Sequence, residues 1–180
     1  GTNWTNIDPQ SSFNENCNYP VYVPDDNFEQ ALINLGYDTG PLDDYVPRAN
    51  INTVTNLNIA NNSISDLTGI EGFTNLLSLA CYSNELTSLN VNANTALTDL
   101  HCGDNLLTEL DVSQNTVLTF LVCDINFLTN LNVKNTNNTN FIEFVAFQNP
   151  NLFCIEVDDA SYSTANWTFI DPQISFSEDC

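Results

Sequence analysis

Leu76-Leu77-Ser78-Leu79-Ala80-Cys81-Tyr82-Ser83-Asn84-Glu85-Leu86-Thr87-Ser88-Leu89-Asn90-Val91-Asn92-Ala93-Asn94-Thr95-Ala96 is a block that restarts at Leu97 and again at Leu118. Cys81, Cys102 and Cys123 stand 21 positions apart, as do Leu79, Leu100 and Leu121, and Leu89, Leu110 and Leu131. Self-similarity at such a period is the signature of a solenoid, and it takes precedence over any local reading. A shorter period is nested inside it. Leu79 to Leu89 is 10 residues and Leu89 to Leu100 is 11. Both halves share one form: Leu79/Cys81/Asn84, Leu89/Val91/Asn94, Leu100/Cys102/Asn105, Leu110/Val112/Asn115 and Leu121/Cys123/Asn126.

The alternation Leu-x-Cys or Leu-x-Val is strand-like, with two inward side chains flanking one that points out. Asn follows at the turn, where its amide can meet backbone groups of neighbouring coils and where left-handed geometry is tolerated. Each coil is therefore expected to carry a short parallel strand on both long sides. Cys81, Cys102 and Cys123 fall at the second inward position and are read as buried free thiols, since three stacked thiols cannot all pair. Asn84, Asn105 and Asn126 are read as a turn ladder.

The nested 10/11 pattern resembles the bacterial 21-residue class of the leucine-rich repeat family over residues 54–157. The segment Val23-Pro24-Asp25-Asp26-Asn27-Phe28-Glu29-Gln30-Ala31-Leu32 resembles the cap before leucine-rich repeats in surface proteins of Bacteroidetes-type bacteria. So does Ile64-Ser65-Asp66-Leu67-Thr68-Gly69-Ile70-Glu71-Gly72-Phe73, read as an irregular first coil. The expected fold is a leucine-rich-repeat solenoid with an N-terminal helical cap and a disulfide-bearing C-terminal cap. Its expected divisions are an N-terminal cap over 18–53, repeats over 54–157 and a C-terminal cap over 158–180. Within the first cap, Asp25 or Asp26 caps a helix near 26–35 with Phe28, Ala31, Leu32 and Leu35 on one face and Gly36 ending it. Beyond Val133, keeping the 21-residue step places Ile142/Phe144 under Leu121/Cys123, and Leu152/Cys154 under Leu131/Val133. Trp167, Ile170 and Phe176 are expected to fold back as the closing cap.

Residues 3–17 and 166–180 agree at 11 of 15 positions with a constant offset of 163, from Asn3-Trp4-Thr5 to Cys17 and from Asn166-Trp167-Thr168 to Cys180. Residues 1–17 are read as the tail of a preceding copy of the same module, in a parent chain of tandem modules. If Cys180 closes a bridge to Cys154, then Cys17 is half of a bridge whose partner lies upstream, and is unpaired within this chain. Such a bridge implies an oxidising compartment. The absence of methionine fits a segment of a longer, processed chain.

With 23 acidic residues against two basic ones, Arg48 and Lys134, the formal net charge is −21. A surface of this sign repels nucleic acid, anionic lipid and sulfated polysaccharide. No apolar run approaches the ~20 residues that span a bilayer. His101 is the one histidine and lies outward between Leu100 and Cys102, away from any thiol, so no nucleophile–base pair forms and no catalytic group is expected. No cofactor is implied. Asp38, Asp43 and Asp44 form an acidic loop that carries a weak calcium reading, interrupted by Pro41 and Leu42 and lacking a closing bidentate Glu.

The two faces differ in their outward residues. The Leu-x-Val side repeats Asn90, Asp111 and Asn132, flanked by Asn92, Ser113 and Lys134, a small polar set. The Leu-x-Cys side shows Tyr82, Asp99, His101, Phe120, Val122 and Asp124, joined at the 21-residue step by Phe141 and Glu143. Outward aromatic and apolar groups need a reason, and a partner supplies one. The expected function is a secreted or cell-surface module that binds a protein through this face. The alternatives are a carbohydrate-binding module for a neutral glycan, with Tyr82, His101 and Phe120 as the platform, and a structural spacer in a tandem-repeat adhesin.

Overall fold

In a computed structural model, residues 19–180 are described; the sequence readings for residues 1–17, Cys17 included, lie outside them. The chain begins with β1 (Val21–Tyr22), α1 (Asp26–Asn34), β2 (Tyr45–Val46) and α2 (Arg48–Ile51), with β1 and β2 antiparallel. The coils follow with β3 (Asn56–Asn58), β4 (Ser78–Ala80), β5 (Asp99–His101), β6 (Glu109–Asp111), β7 (Phe120–Val122), β8 (Asn130–Asn132), β9 (Glu143–Val145) and β10 (Cys154–Glu156). The chain closes with α3 (Ala160–Asn166) and β11 (Ser175–Ser177).

Two parallel sheets line the long sides. One runs β3-β4-β5-β7-β9 and the other β11-β10-β8-β6. The centre of each strand is inward: Leu57, Leu79, Leu100, Leu121 and Phe144 on one side, Leu110, Leu131 and Ile155 on the other, each at most 4% exposed. Cys81, Cys102 and Cys123 are reduced and buried beside them. Burial pushes the Cys81 thiol up to about 12. Burial also raises Cys102 well above its ordinary value, with the adjacent thiols and Asp124 adding to it. Thiols held protonated in this way are poor nucleophiles and act as small apolar side chains.

The turns carry the polar half of the stack. Asn105 accepts from the Leu86 amide at 3.0 Å and donates to the carbonyls of Cys81 and Cys102 at 3.1 Å. Asn126 repeats this with the Leu107 amide and the Cys102 and Cys123 carbonyls. Asn149 continues it with the Leu128 amide and the Cys123 and Ala146 carbonyls. One amide thus ties its own turn to the coil before it. On the opposite side Asn94 and Asn115 use only their NH₂ groups: Asn115 donates to Val91 and Asn94, while the Oδ1 atoms of both have no hydrogen-bond partner.

The N-terminal helix starts at Asp26, with Asp25 as its cap. One Asp25 oxygen accepts from the amides of Asn27 and Phe28, and the other accepts from the amides of Ser65 and Asp66 and the Ser65 hydroxyl. Burial opposes the charge on Asp25, but these bonds, led by Ser65, outweigh it and hold its carboxyl below the ordinary range. The helix ends in a Schellman turn, with Gly36 at φ +80° and the Tyr37 amide donating to Leu32. Phe28, Ala31 and Leu32 face inward as expected, but Leu35 is exposed, because the helix has already ended at Asn34.

Two further expectations are corrected. The 21-residue step fails after Val133, where β7 pairs with β9 as Phe120↔Glu143, Leu121↔Phe144 and Val122↔Val145, a step of 23. Leu131 then pairs with Ile155, a step of 24. The extra residues fall between Val133 and Asn138, ahead of the turn at 138–140, and the buried Asn138 donates to Val133 and accepts from the Asp158 amide. Ile142, expected inward, is 79% exposed. Leu152 is buried, but Cys154 sits at the strand start and pairs with Cys180 in a disulfide.

The closing segment does not fold back. It makes a further partial coil, with Val145 bridging Phe169 in parallel and β10 pairing in parallel with β11. Trp167 stacks on Phe144 at 4.1 Å and meets Phe176 edge-on at 5.7 Å, covering the open end of the core.

Asn105→Ala is expected to destabilise the chain by ~1–3 kcal/mol, because it leaves the Leu86 amide unmet as well as two carbonyls. Asn115→Ala should cost less, since it also removes an unmet buried oxygen. Urea unfolding of the two variants compares them, and equal losses would contradict the difference drawn between the two sides.

Candidate functional site

Register decides which side chains share the outward surface of the β3–β9 sheet. Its central row is Ala80, His101, Val122 and Val145, ending at Phe169 through the parallel bridge. One flank is Ser78, Asp99, Phe120 and Glu143. The other is Tyr82, Gly103, Asp124 and Phe147, set by the amides of Ser83, Asp104 and Ile125, which donate to Gly103, Asp124 and Phe147.

Tyr82, His101 and Phe120 form a continuous aromatic group. The Tyr82 ring meets His101 edge-on at 6.4 Å, and His101 stacks on Phe120 at 5.8 Å. Val122 lies next to His101 in the central row, and all but Tyr82 are half-buried. Asp124 lies over Gly103, where even a methyl group would run into its carboxylate. The glycine is therefore what lets an acidic group lie flat on the sheet. Burial there raises the Asp124 carboxyl above its ordinary value; its own backbone amide and His101 pull the other way, and Asp104 adds to the rise.

Two expected members stand differently. Phe141 is not on this surface: it is half-buried against Phe144 and Trp167, with ring centroids at 6.1 and 5.3 Å. Glu143 is present but beside Phe120 rather than Val122. In their place the surface gains Phe147 and Phe169, the last 64% exposed, while Val145, in the central row beside Val122, is buried. The signal for them was in the sequence. Asn149 follows Asn126 by 23 residues, and reading the turn asparagine instead of the apolar pair gives the observed register.

The opposite sheet presents Asn90, Asp111 and Asn132 with Asn130, Glu109 and Glu156, a polar surface with no aromatic group. A second apolar group lies on the turns, where Leu106, Ile125 and Phe127 are each more than two-fifths exposed, and Ile125 holds φ +51°. Left-handed geometry is strained for a β-branched residue.

The acidic loop differs from its expectation. The clustered carboxylates are Asp26, Glu29 and Asp44, without Asp38 or Asp43. Both Glu29 oxygens already accept backbone amides, from Asp43 at 2.9 Å and Asp44 at 3.0 Å, so the buried Glu29 fastens the loop to α1. His101 has Tyr82 and Phe120 as aromatic neighbours, and the ladder thiols face the interior, so this surface offers rings and carboxylates for contact.

No family model matches the chain. Over 74 residues, 41% of its length, it is 40% identical to internalin J of Listeria monocytogenes serotype 4b (strain F2365), of which the match spans 8%. The solved functional domain of internalin J from Listeria monocytogenes, described as including a cysteine ladder, is similar with a TM-score of 0.60 at 28% identity. That match covers 85% of this chain and 39% of that one. An internalin, InlF, of Listeria monocytogenes strain 4b F2365 is similar with a TM-score of 0.59 over 86% of this chain and 58% of that one. At 18% identity it shows the fold alone. The chain thus spans less than two thirds of each of these proteins.

Asp124→Asn is expected to gain stability relative to the unaltered chain as pH rises. A carboxyl raised in the folded state binds its proton more tightly there than when unfolded, so stability falls as pH climbs from the ordinary 3.8 through the raised value. The variant escapes that loss. Its urea midpoint should match the parent's at about pH 3 and exceed it at about pH 7. A variant weaker at neutral pH alone would show that the Asp124 carboxylate is instead a favourable partner of His101.

The chain is a leucine-rich-repeat solenoid, similar in fold and in part of its sequence to bacterial internalins.

Proposed function

We propose that this chain is a non-catalytic module of a secreted or cell-surface bacterial protein, and that it binds a protein partner through the outward surface of the β3–β9 sheet. The 21-residue class, the Bacteroidetes-type cap and the divisions at 18–53, 54–157 and 158–180 belong to the same reading. The observation that carries it is the contrast between two faces built on one skeleton. Inward residues repeat on both sides, so the outward ones are free of the core. Only one side spends them on Tyr82, Phe120, Val122, Phe147 and Phe169. Clustered aromatic and apolar anchors within a polar rim are what protein recognition uses. Asp99, Asp124 and Glu143 supply the rim and favour a partner with basic groups around an apolar centre. The Cys154–Cys180 bridge supports an oxidising, extracytoplasmic setting. The internalin relatives support a surface role by likeness.

A neutral glycan is the second reading, favoured by the aromatic run Tyr82–His101–Phe120 with Asp124 beside it. A spacer without a ligand is the third.

Phe120→Ala with Val122→Ser should weaken partner capture by ~2 kcal/mol, about 30-fold, with little change in melting temperature. Phe147→Ala should weaken it too. Phe141→Ala should lower stability and leave capture intact. Asn90→Ala with Asp111→Ala is the control on the other sheet. Affinities for a partner selected from displayed host and bacterial surface proteins, alongside a glycan array, provide the readout. Loss through Leu106→Ser with Phe127→Ser, but not through the Phe120 pair, would place the contact on the turns. Loss in the control pair alone would place it on the wrong sheet.

A further inference from the structure

The two fixed cations of this −21 chain each grip the backbone, Arg48 in the N-terminal cap and Lys134 reaching from after β8 to the C-terminal segment. Lys134 Nζ donates to the carbonyl of Glu178 at 2.7 Å, two residues before Cys180, and lies 3.9 Å from Glu156. Arg48 Nε donates to the carbonyl of Tyr19 at 3.4 Å, and Arg48 has no carboxylate partner among the described residues. The duplication makes Cys17 the counterpart of Cys180 and Glu15 the counterpart of Glu178. In a tandem chain these two grips therefore fall on either side of one junction.

The chain between them is short. From the residue held by Lys134 to the residue held by Arg48 there are four steps, at most ~14 Å even when fully extended. The upstream end is further fixed by the Cys154–Cys180 bridge. The downstream end enters β1, where Val21 is 4% exposed and packs so closely on the first coil that a methyl on Gly72 would sit 2.7 Å from it. Neither end has slack to let the modules swing apart. At this point the N-terminal cap exposes three tyrosines, Tyr19 at 72%, Tyr22 at 49% and Tyr45 at 47%, with the Tyr22 and Tyr45 rings 5.5 Å apart. They lie outside the solenoid core, on the cap that directly follows the junction.

We propose that Tyr19, Tyr22, Tyr45 and Arg48 form a docking surface for the C-terminal cap of the preceding copy of this module, so that consecutive modules stack as a stiff rod. The inference rests on the tandem reading of residues 1–17. The acidic end of the upstream cap, equivalent to Glu178 of this module, supplies the charge that Arg48 lacks among the described residues of its own module. Tyrosine suits such a contact, burying a ring while its hydroxyl stays wet. A rod would hold the aromatic faces of successive modules in a fixed phase, so several anchors engage an extended partner together.

The test uses the full chain continued after Cys180 by a second Asn18–Cys180. Hydroxyl-radical footprinting should show Tyr22 and Tyr45 of the second copy oxidised about threefold more slowly than those of the first, since a docked ring is withdrawn from solvent. Arg48→Ser with Tyr45→Ser in the second copy should restore the faster rate at Tyr22 and broaden the small-angle scattering of the pair to that of two hinged bodies. Equal rates in both copies, with both sets of ladder thiols protected from maleimide, would overturn the docking. A second copy whose thiols are open to maleimide would overturn the tandem reading itself.

Discussion

One side-chain amide holds each coil to the one before it. A solenoid coil has no hairpin to close it, and its turn leaves backbone amides and carbonyls pointing inward, away from water. Asn105, Asn126 and Asn149 meet those groups from within the turn, accepting from the preceding coil and donating to two levels of carbonyl. Because the same amide serves both coils, it also sets their registration. Leucine and cysteine then fill the space that the registered coils enclose. The Leu-x-Val side manages with half of this device, leaving the Asn94 and Asn115 oxygens unmet.

This division of labour is why the outward positions can vary. The inward Leu and Cys and the turn Asn carry the stack, so Tyr82, His101, Phe120 and Asp124 change from coil to coil without disturbing it. Gly103 shows how local the adjustment is. It gives up a side chain so that one carboxylate can rest on the sheet beside the aromatic group. The faces differ because nothing inside requires them to match.

The repeats, both sheets and the inward thiols were legible in the sequence because their side chains recur at fixed spacing. The last coils were less so. Between Val133 and Phe141 the chain holds two residues more than a regular coil, and apolar residues are frequent enough there for Ile142 and Phe144 to imitate the expected pair. Only the turn amide kept the true count, at Asn149. Carrying the wrong step forward placed Phe141 outside, where it in fact supports Trp167, and hid Phe147 and Phe169. At the other end, Glu29 reads as an exposed helix residue, yet it is buried because two loop amides descend onto it. Such long-range pairings have no period and leave no local trace.

The three thiols share one closed interior with the turn amides. Maleimide labelling of each cysteine, resolved by mass spectrometry across a urea series, tests it most directly. Cys81, Cys102 and Cys123 should stay unlabelled in the native chain and become reactive together, at the midpoint of global unfolding. Rapid native labelling of any one of them would contradict the inward ladder and the register built on it.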